Sequence, residues 1–100
     1  MTLISLQDQI DCLQRYIIVH SYLYYSCDTS IISDKQFDTK ARELVKYKND
    51  YPDLWKKSEY FKQFGDEYTG ATGFTLYSDL NLKQREIIRA IAGILTRSST

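Results

Sequence analysis

Residues 20–38 read His20-Ser21-Tyr22-Leu23-Tyr24-Tyr25-Ser26-Cys27-Asp28-Thr29-Ser30-Ile31-Ile32-Ser33-Asp34-Lys35-Gln36-Phe37-Asp38. In the middle, Asp28-Thr29-Ser30 places three turn formers in a row, whose side chains bond to nearby backbone and compete with helix. A helix start follows. Ser33 and Gln36 have the S-x-x-Q spacing of a capping box, Ile32 precedes the cap as a staple residue, and Asp34 suits the positive end of the helix dipole. The stretch therefore reads as the end of one helix, a short turn and the beginning of the next.

Both helices extend outward from it. Upstream, Ser5 stands as an N-cap with Asp8 three residues on, and Ile10, Leu13, Ile17 and Tyr24 recur at spacings of three and four. That pattern predicts one helix from Ser5 to about Cys27. Downstream, Phe37, Ala41, Leu44 and Val45 fall at i, i+4, i+7 and i+8, predicting a second helix to about Asn49. Two helices joined by a short turn form an antiparallel hairpin.

Beyond the hairpin, Pro52 marks the first turn of a third helix with Asp50 as its cap. Leu54, Trp55, Tyr60, Phe61 and Phe64 follow until Gly65, and Lys56-Lys57-Ser58 is the place where that helix would break. Asn81 caps a last helix, with Gln84 three residues later and Leu82, Ile87, Ile88, Ile91, Ile94 and Leu95 as its buried face. Strand-like alternation and internal repeats are absent. The fold class expected is all-α: a helical hairpin over residues 1–65, with a loop and an amphipathic helix over 66–100 packing on the same domain as a small bundle.

The chain has 100 residues, which suits one small domain. Hydrophobic residues at 43% and charged residues at 26% exclude a disordered tail. No apolar run is long enough to span a membrane and no secretory signal opens the sequence, so a cytoplasmic protein is expected. Thirteen basic and thirteen acidic residues cancel, which argues against strong nucleic-acid or membrane binding. Cys12 and Cys27 lie about 22 Å apart along one helix, beyond disulfide reach. With a single His and no C-x-x-C pair, no metal site is expected.

Candidate chemistry gathers at the turn. Asp34, Phe37 and Asp38 fall at i, i+3 and i+4 on one helical face, and the hairpin brings that face towards Tyr24. Rings and carboxylates together suit a flat cationic ligand. The same residues also fit a structural role, with Tyr24 and Phe37 as hairpin core and the Asp residues serving the helix dipole. His20 reads as a packed or capping histidine. The Gly70–Gly73 loop lacks the Lys-Ser/Thr of a phosphate loop and reads as a flexible connection. Lys46, Lys48, Lys56 and Lys57 read as a solvated face or a weak phosphate-contacting patch.

The pattern H-x-Y-L-Y-[YH]-x-x-D-x-x-x-I-x-D-x-x-[YF]-D over His20–Asp38 resembles the N-terminal Ia domain of NAD-dependent bacterial DNA ligases. The likeness continues through Ala41-Arg42-Glu43-Leu44 and Tyr51-Pro52-Asp53-Leu54, then fades after Ser58. The resemblance implies a helical hairpin that binds the nicotinamide mononucleotide (NMN) half of NAD+ over an adenylation domain. It implies stacking rings at Tyr24 and Phe37, nucleotide-contacting carboxylates at Asp34 and Asp38, and a phosphate neighbour at Tyr25. Phe37 departs from the family's usual Tyr and lacks its hydroxyl.

The family's adenylation motif, a nucleophilic lysine in a K-x-D-G setting, does not occur in these residues. No catalytic residue is therefore assigned, and the expectation is a non-catalytic module that recognises NMN or NAD+ weakly, or at an interface that supplies a missing wall. Self-association through the last helix is one source of that wall. The alternative is a small inhibitor or adaptor, such as a decoy for a ligase or a viral counter-defence protein. Trp55, Tyr60, Phe61, Lys83, Arg85 and Arg89 are its candidate partner interface.

Overall fold

The computed structural model describes residues 5–70 and 76–98. Its helices are α1 (Leu6–Ser26), α2 (Asp34–Asp50), α3 (Pro52–Lys56), α4 (Phe61–Phe64) and α5 (Leu82–Ser98), with no strand among the described residues. The expected all-α bundle is what forms. No described helix is long and apolar enough to cross a membrane. The glycine-containing loop lies outside the described residues from Ala71 to Phe74.

Helix α1 is the centre of the molecule and packs against α2, α3 and α5. Ser5 caps it, its Oγ accepting the Asp8 N–H at 3.1 Å. Its buried residues include Ile10, Leu13, Ile17, Ile18, Val19 and Leu23, a broad apolar arc that touches several neighbours at once. The helix stops where Asp28 adopts φ +50°, a left-handed conformation that Asp tolerates better than most residues. The Thr29 N–H then turns back to the Leu23 carbonyl at 2.9 Å.

The capping box at the start of α2 is complete. Ser33 Oγ accepts the Gln36 N–H at 3.0 Å, and Gln36 Oε1 accepts the Ser33 N–H at 2.8 Å. Late in α2, the Tyr47 hydroxyl donates to Gln9 Oε1 early in α1 at 2.9 Å. Phe37 at the start of α2 meets a cleft shared with Tyr24 near the end of α1. The two helices are thus antiparallel, as the short turn requires.

The third helix breaks at Lys57, giving the short α3 and α4. Asp50 does not cap α3: it ends α2, and Tyr51 occupies the cap position without a side-chain bond. The reason is that α2 runs almost directly into α3 across Pro52, whose missing N–H needs no acceptor. Trp55 and Tyr60 are both fully buried, and the Trp55 indole N–H donates to the Gly65 carbonyl at 3.0 Å. Phe64 and Tyr68 close an aromatic cluster around Trp55, their rings edge-to-face with centroids 4.8 Å apart.

Asn81 caps α5 reciprocally with Gln84, at 2.8 and 3.1 Å. Its buried face is narrower than the sequence reading. Ile88 and Ala92 are buried and Ile91 and Leu95 pack partly against the core, whereas Leu82, Ile87 and Ile94 are exposed. Ile87 and Ile88 lie about 100° apart on the helix, so one contact with α1 cannot cover both.

Candidate functional site

The hairpin leaves a cleft of about 310 Å³ between the end of α1 and the beginning of α2. Helix α1 contributes His20, Ser21, Tyr24 and Tyr25, whose spacing of one helical turn aligns them on one face. Thr29, Ser30, Ile31 and Ile32 of the connection form the wall. Ser33, Asp34 and Phe37 complete it from α2. The capping box and the left-handed Asp28 fix the two ends of this short connection and therefore the width of the opening.

Four of the five residues singled out in the sequence meet here: Tyr24, Tyr25, Asp34 and Phe37. The Tyr24 and Tyr25 rings stand nearly perpendicular, centroids 4.9 Å apart, and remain 54% and 47% exposed. Phe37 is half-buried against the core. Asp38 is the exception. It does not line the cleft, and its carboxylate pairs with Arg42 one turn later on an exposed face. An exposed i,i+4 pair of this kind is weak, so it holds Asp38 aside without locking it there.

The floor of the cleft was the less legible part of the sequence. His20 is 7% exposed and its ring lies 4.4 Å from that of Tyr16. Burial pushes its imidazole below the usual histidine range, so the ring is neutral at pH 7. Ser21 is 2% exposed, and its Oγ has no hydrogen-bond partner among the described residues. The signal for Ser21 lies in its spacing: it stands three and four residues before Tyr24 and Tyr25, on their helical face.

The electrostatics of the lining are one-sided. Asp34 supplies a carboxylate at the N-terminus of α2, and neither Lys nor Arg lines the cleft. Aromatic faces beside a carboxylate, with no competing cation, favour a flat positively charged ring. Among the described residues no group of His, Cys, Asp and Glu could hold a metal ion. Cys12 and Cys27 are both free and exposed.

The candidate partner surface does not assemble as the sequence reading placed it. Trp55 and Tyr60 lie wholly inside the fold and are unavailable to a partner, because α1 draws the segment carrying them into the core. Phe61 is partly buried. Arg85 is half-buried, donating to the Ser78 carbonyl at 2.6 Å with its guanidinium 5.8 Å from the Tyr77 ring centroid. Lys83 and Arg89 are exposed.

Residues 4–58 match the family described as DNA ligase-like, N-terminal NAD+-binding domain. Similar proteins include a DNA ligase of Psychrobacter cryohalolentis, 35% identical over 57% of this chain and 8% of the ligase. A DNA ligase of Flavobacterium johnsoniae is 31% identical over 65% of this chain and 10% of its own length. One from Syntrophobacter fumaroxidans is 44% identical over 46% and 7%. The chain thus spans only about a tenth or less of the length of these relatives. No solved structure matches it. The cleft lies entirely inside the matched segment, whereas α5 lies outside it. On this evidence the chain belongs to the family of DNA ligase-like, N-terminal NAD+-binding domains.

Proposed function

We propose that the α1–α2 cleft binds a nicotinamide nucleotide, NMN or the NMN half of NAD+. The observation that carries this reading is the convergence of Tyr24, Phe37 and Asp34 on one cation-free cleft within the matched family segment. The rings cover the faces of a pyridinium and the carboxylate balances its charge. The Thr29 and Ser30 hydroxyls already donate to the Cys27 and Ile32 carbonyls. Ser33, whose Oγ accepts the Gln36 N–H, keeps its own proton to donate to a ribose or phosphate oxygen, and Tyr25 stands beside it in the lining. Asp38 joins them by exchanging its surface pair with Arg42 for a ligand hydroxyl.

The domain's role is binding rather than bond making. Transfer of AMP from NAD+ needs a nucleophile, and these residues contain no K-x-D-G lysine. The exposure of Tyr24 and Tyr25 supports a ligand enclosed on one side here and on the other by a second surface. By the resemblance to the ligase Ia domain, an adenylation domain would supply that surface. An adaptor or inhibitor using the same opening would present these two tyrosines to its partner.

The test is a proton–nitrogen NMR titration with NMN and NAD+. Saturable shifts centred on Tyr24, Asp34 and Phe37, lost in Asp34→Ala, are the expected result. Absence of shifts at millimolar ligand would overturn the reading and leave the hairpin as a protein-binding scaffold.

A further inference from the structure

We propose that the outer face of α5 is a self-association surface, on which the α5 of a second copy of this chain lies antiparallel. Helix α5 is outside the segment matched by the ligase-like family, so that likeness gives it no role. The surface is separate from the nucleotide cleft and does not depend on what that cleft binds.

Three features of α5 point there. The first is its leftover apolar surface. Ile88 and Ala92 are buried on the core side, while Ile87, Ala90 and Ile94 remain exposed. The second is Gly93. It stands inside a 17-residue helix, where Gly is weaker than Ala, and a Cβ there would meet no packed neighbour within 4 Å. Nothing among the described residues calls for a glycine at this point, whereas the close approach of another backbone does. The third is charge. Glu86 is the only acidic residue of α5, among Lys83, Arg85, Arg89 and Arg97, and it makes no ion pair among the described residues.

The spacing joins the three. Glu86, Ala90, Gly93 and Arg97 fall at i, i+4, i+7 and i+11, the alternating rhythm of a helix-pairing seam, on the side of the helix away from Ile88 and Ala92. In an antiparallel pair Glu86 faces Arg97 of the second copy, Ala90 faces its Gly93, and the two-fold axis repeats both contacts. The small pair lets the backbones come close, and Ile87 and Ile94 of both copies cover one flank. A parallel pair would set Glu86 on Glu86 and Arg97 on Arg97. The charge pattern therefore selects a second copy in the antiparallel sense. Helix α5 is about 25 Å long, which places the contact at the small, transient end of interface sizes.

The experiment is sedimentation velocity of the full chain from about 10 µM to about 1 mM, the range in which so small an interface should associate. Wild type is expected to pass from monomer to dimer. Glu86→Arg and Arg97→Glu should each weaken the dimer by about tenfold, since like charges then replace both pairs, and the double variant should recover it. Gly93→Gln should also weaken the dimer while melting no lower than wild type, which separates loss of contact from loss of fold. A monomer throughout the range would overturn the proposal and leave this face to a different protein. A dimer that ignores the single reversals, or that the double variant fails to recover, would overturn it too by placing the interface elsewhere.

Discussion

Gln14 and Ser58, 44 residues apart in sequence, join inside the core: the Gln14 side-chain amide donates to Ser58 Oγ at 2.8 Å. The other end of the same amide accepts the Tyr60 N–H at 3.1 Å, and the Ser58 hydroxyl donates to the Trp55 carbonyl at 2.5 Å. Gln7 and Asp11 lie one turn apart upstream on α1, and Arg15 follows Gln14. They bond to the Leu54 carbonyl, the Glu59 N–H and the Glu59 carboxylate. This polar row on α1 holds the segment from α3 to the start of α4 and leaves the far end of α1 free to form the cleft.

Gln14→Leu tests the buried member of that row. It strands the Tyr60 N–H in the core, and an unmet buried donor costs about 1–3 kcal/mol. Urea unfolding should show a loss in that range without a change in helical content. Gln7→Ala, on the partly exposed end, should lose less.

Asp28 sits at φ +50° where α1 stops. Asp28→Gly removes the steric penalty and should be neutral or mildly stabilising. Asp28→Val places a β-branched side chain there and should cost about 1–2 kcal/mol. In a domain of this size that lowers the melting temperature by roughly 4–16 °C.

Tyr24 is more than half exposed, so Tyr24→Ala should leave the melting temperature nearly unchanged. Its ring nevertheless forms one side of the cleft, and NMN affinity should fall by about tenfold. Phe37→Tyr adds a hydroxyl to the ring that lines the cleft and should tighten NMN by roughly fivefold, the worth of one hydrogen bond. Titration of both variants against one protein preparation checks the pair.

His20 makes the fold sensitive to mild acid. Its pKa in the folded protein is below the ordinary value of 6.5 because burial disfavours the cation. Above about pH 6.5 the ring is neutral folded or unfolded and contributes nothing to the pH dependence. As the pH falls through 6.5 the unfolded chain takes up the proton first, so stability declines until the folded pKa is also passed. His20→Gln should flatten the decline below about pH 6.5 in thermal melts. A protonated His20 on the cleft floor would also repel a pyridinium, so NMN affinity should weaken as the pH falls through the lowered folded pKa, in wild type only.

The helices and their caps were legible because their causes are local. Ser5, Ser33 with Gln36, and Asn81 with Gln84 are each satisfied within a few residues along the chain, and the spacing of Ile10, Leu13 and Ile17 suffices to orient α1. The cleft residues Tyr24, Tyr25, Asp34 and Phe37 were legible for the same reason, since a short turn between two helices leaves their ends few ways to meet.

Tertiary structure decided whatever depends on which neighbour a face finds. Trp55 and Tyr60 look like surface anchors in a list of aromatic residues, but the polar row from Gln7 to Arg15 pulls their segment inward until both rings are buried. Ile87 and Ile94 belong to an apolar helix, yet α1 offers α5 one narrow contact and leaves them outside. Ser21 is an ordinary serine until the hairpin closes over it. Local hydrogen bonds are settled by a few consecutive side chains, whereas burial depends on the positions of distant segments, and the pattern of one helix does not contain them.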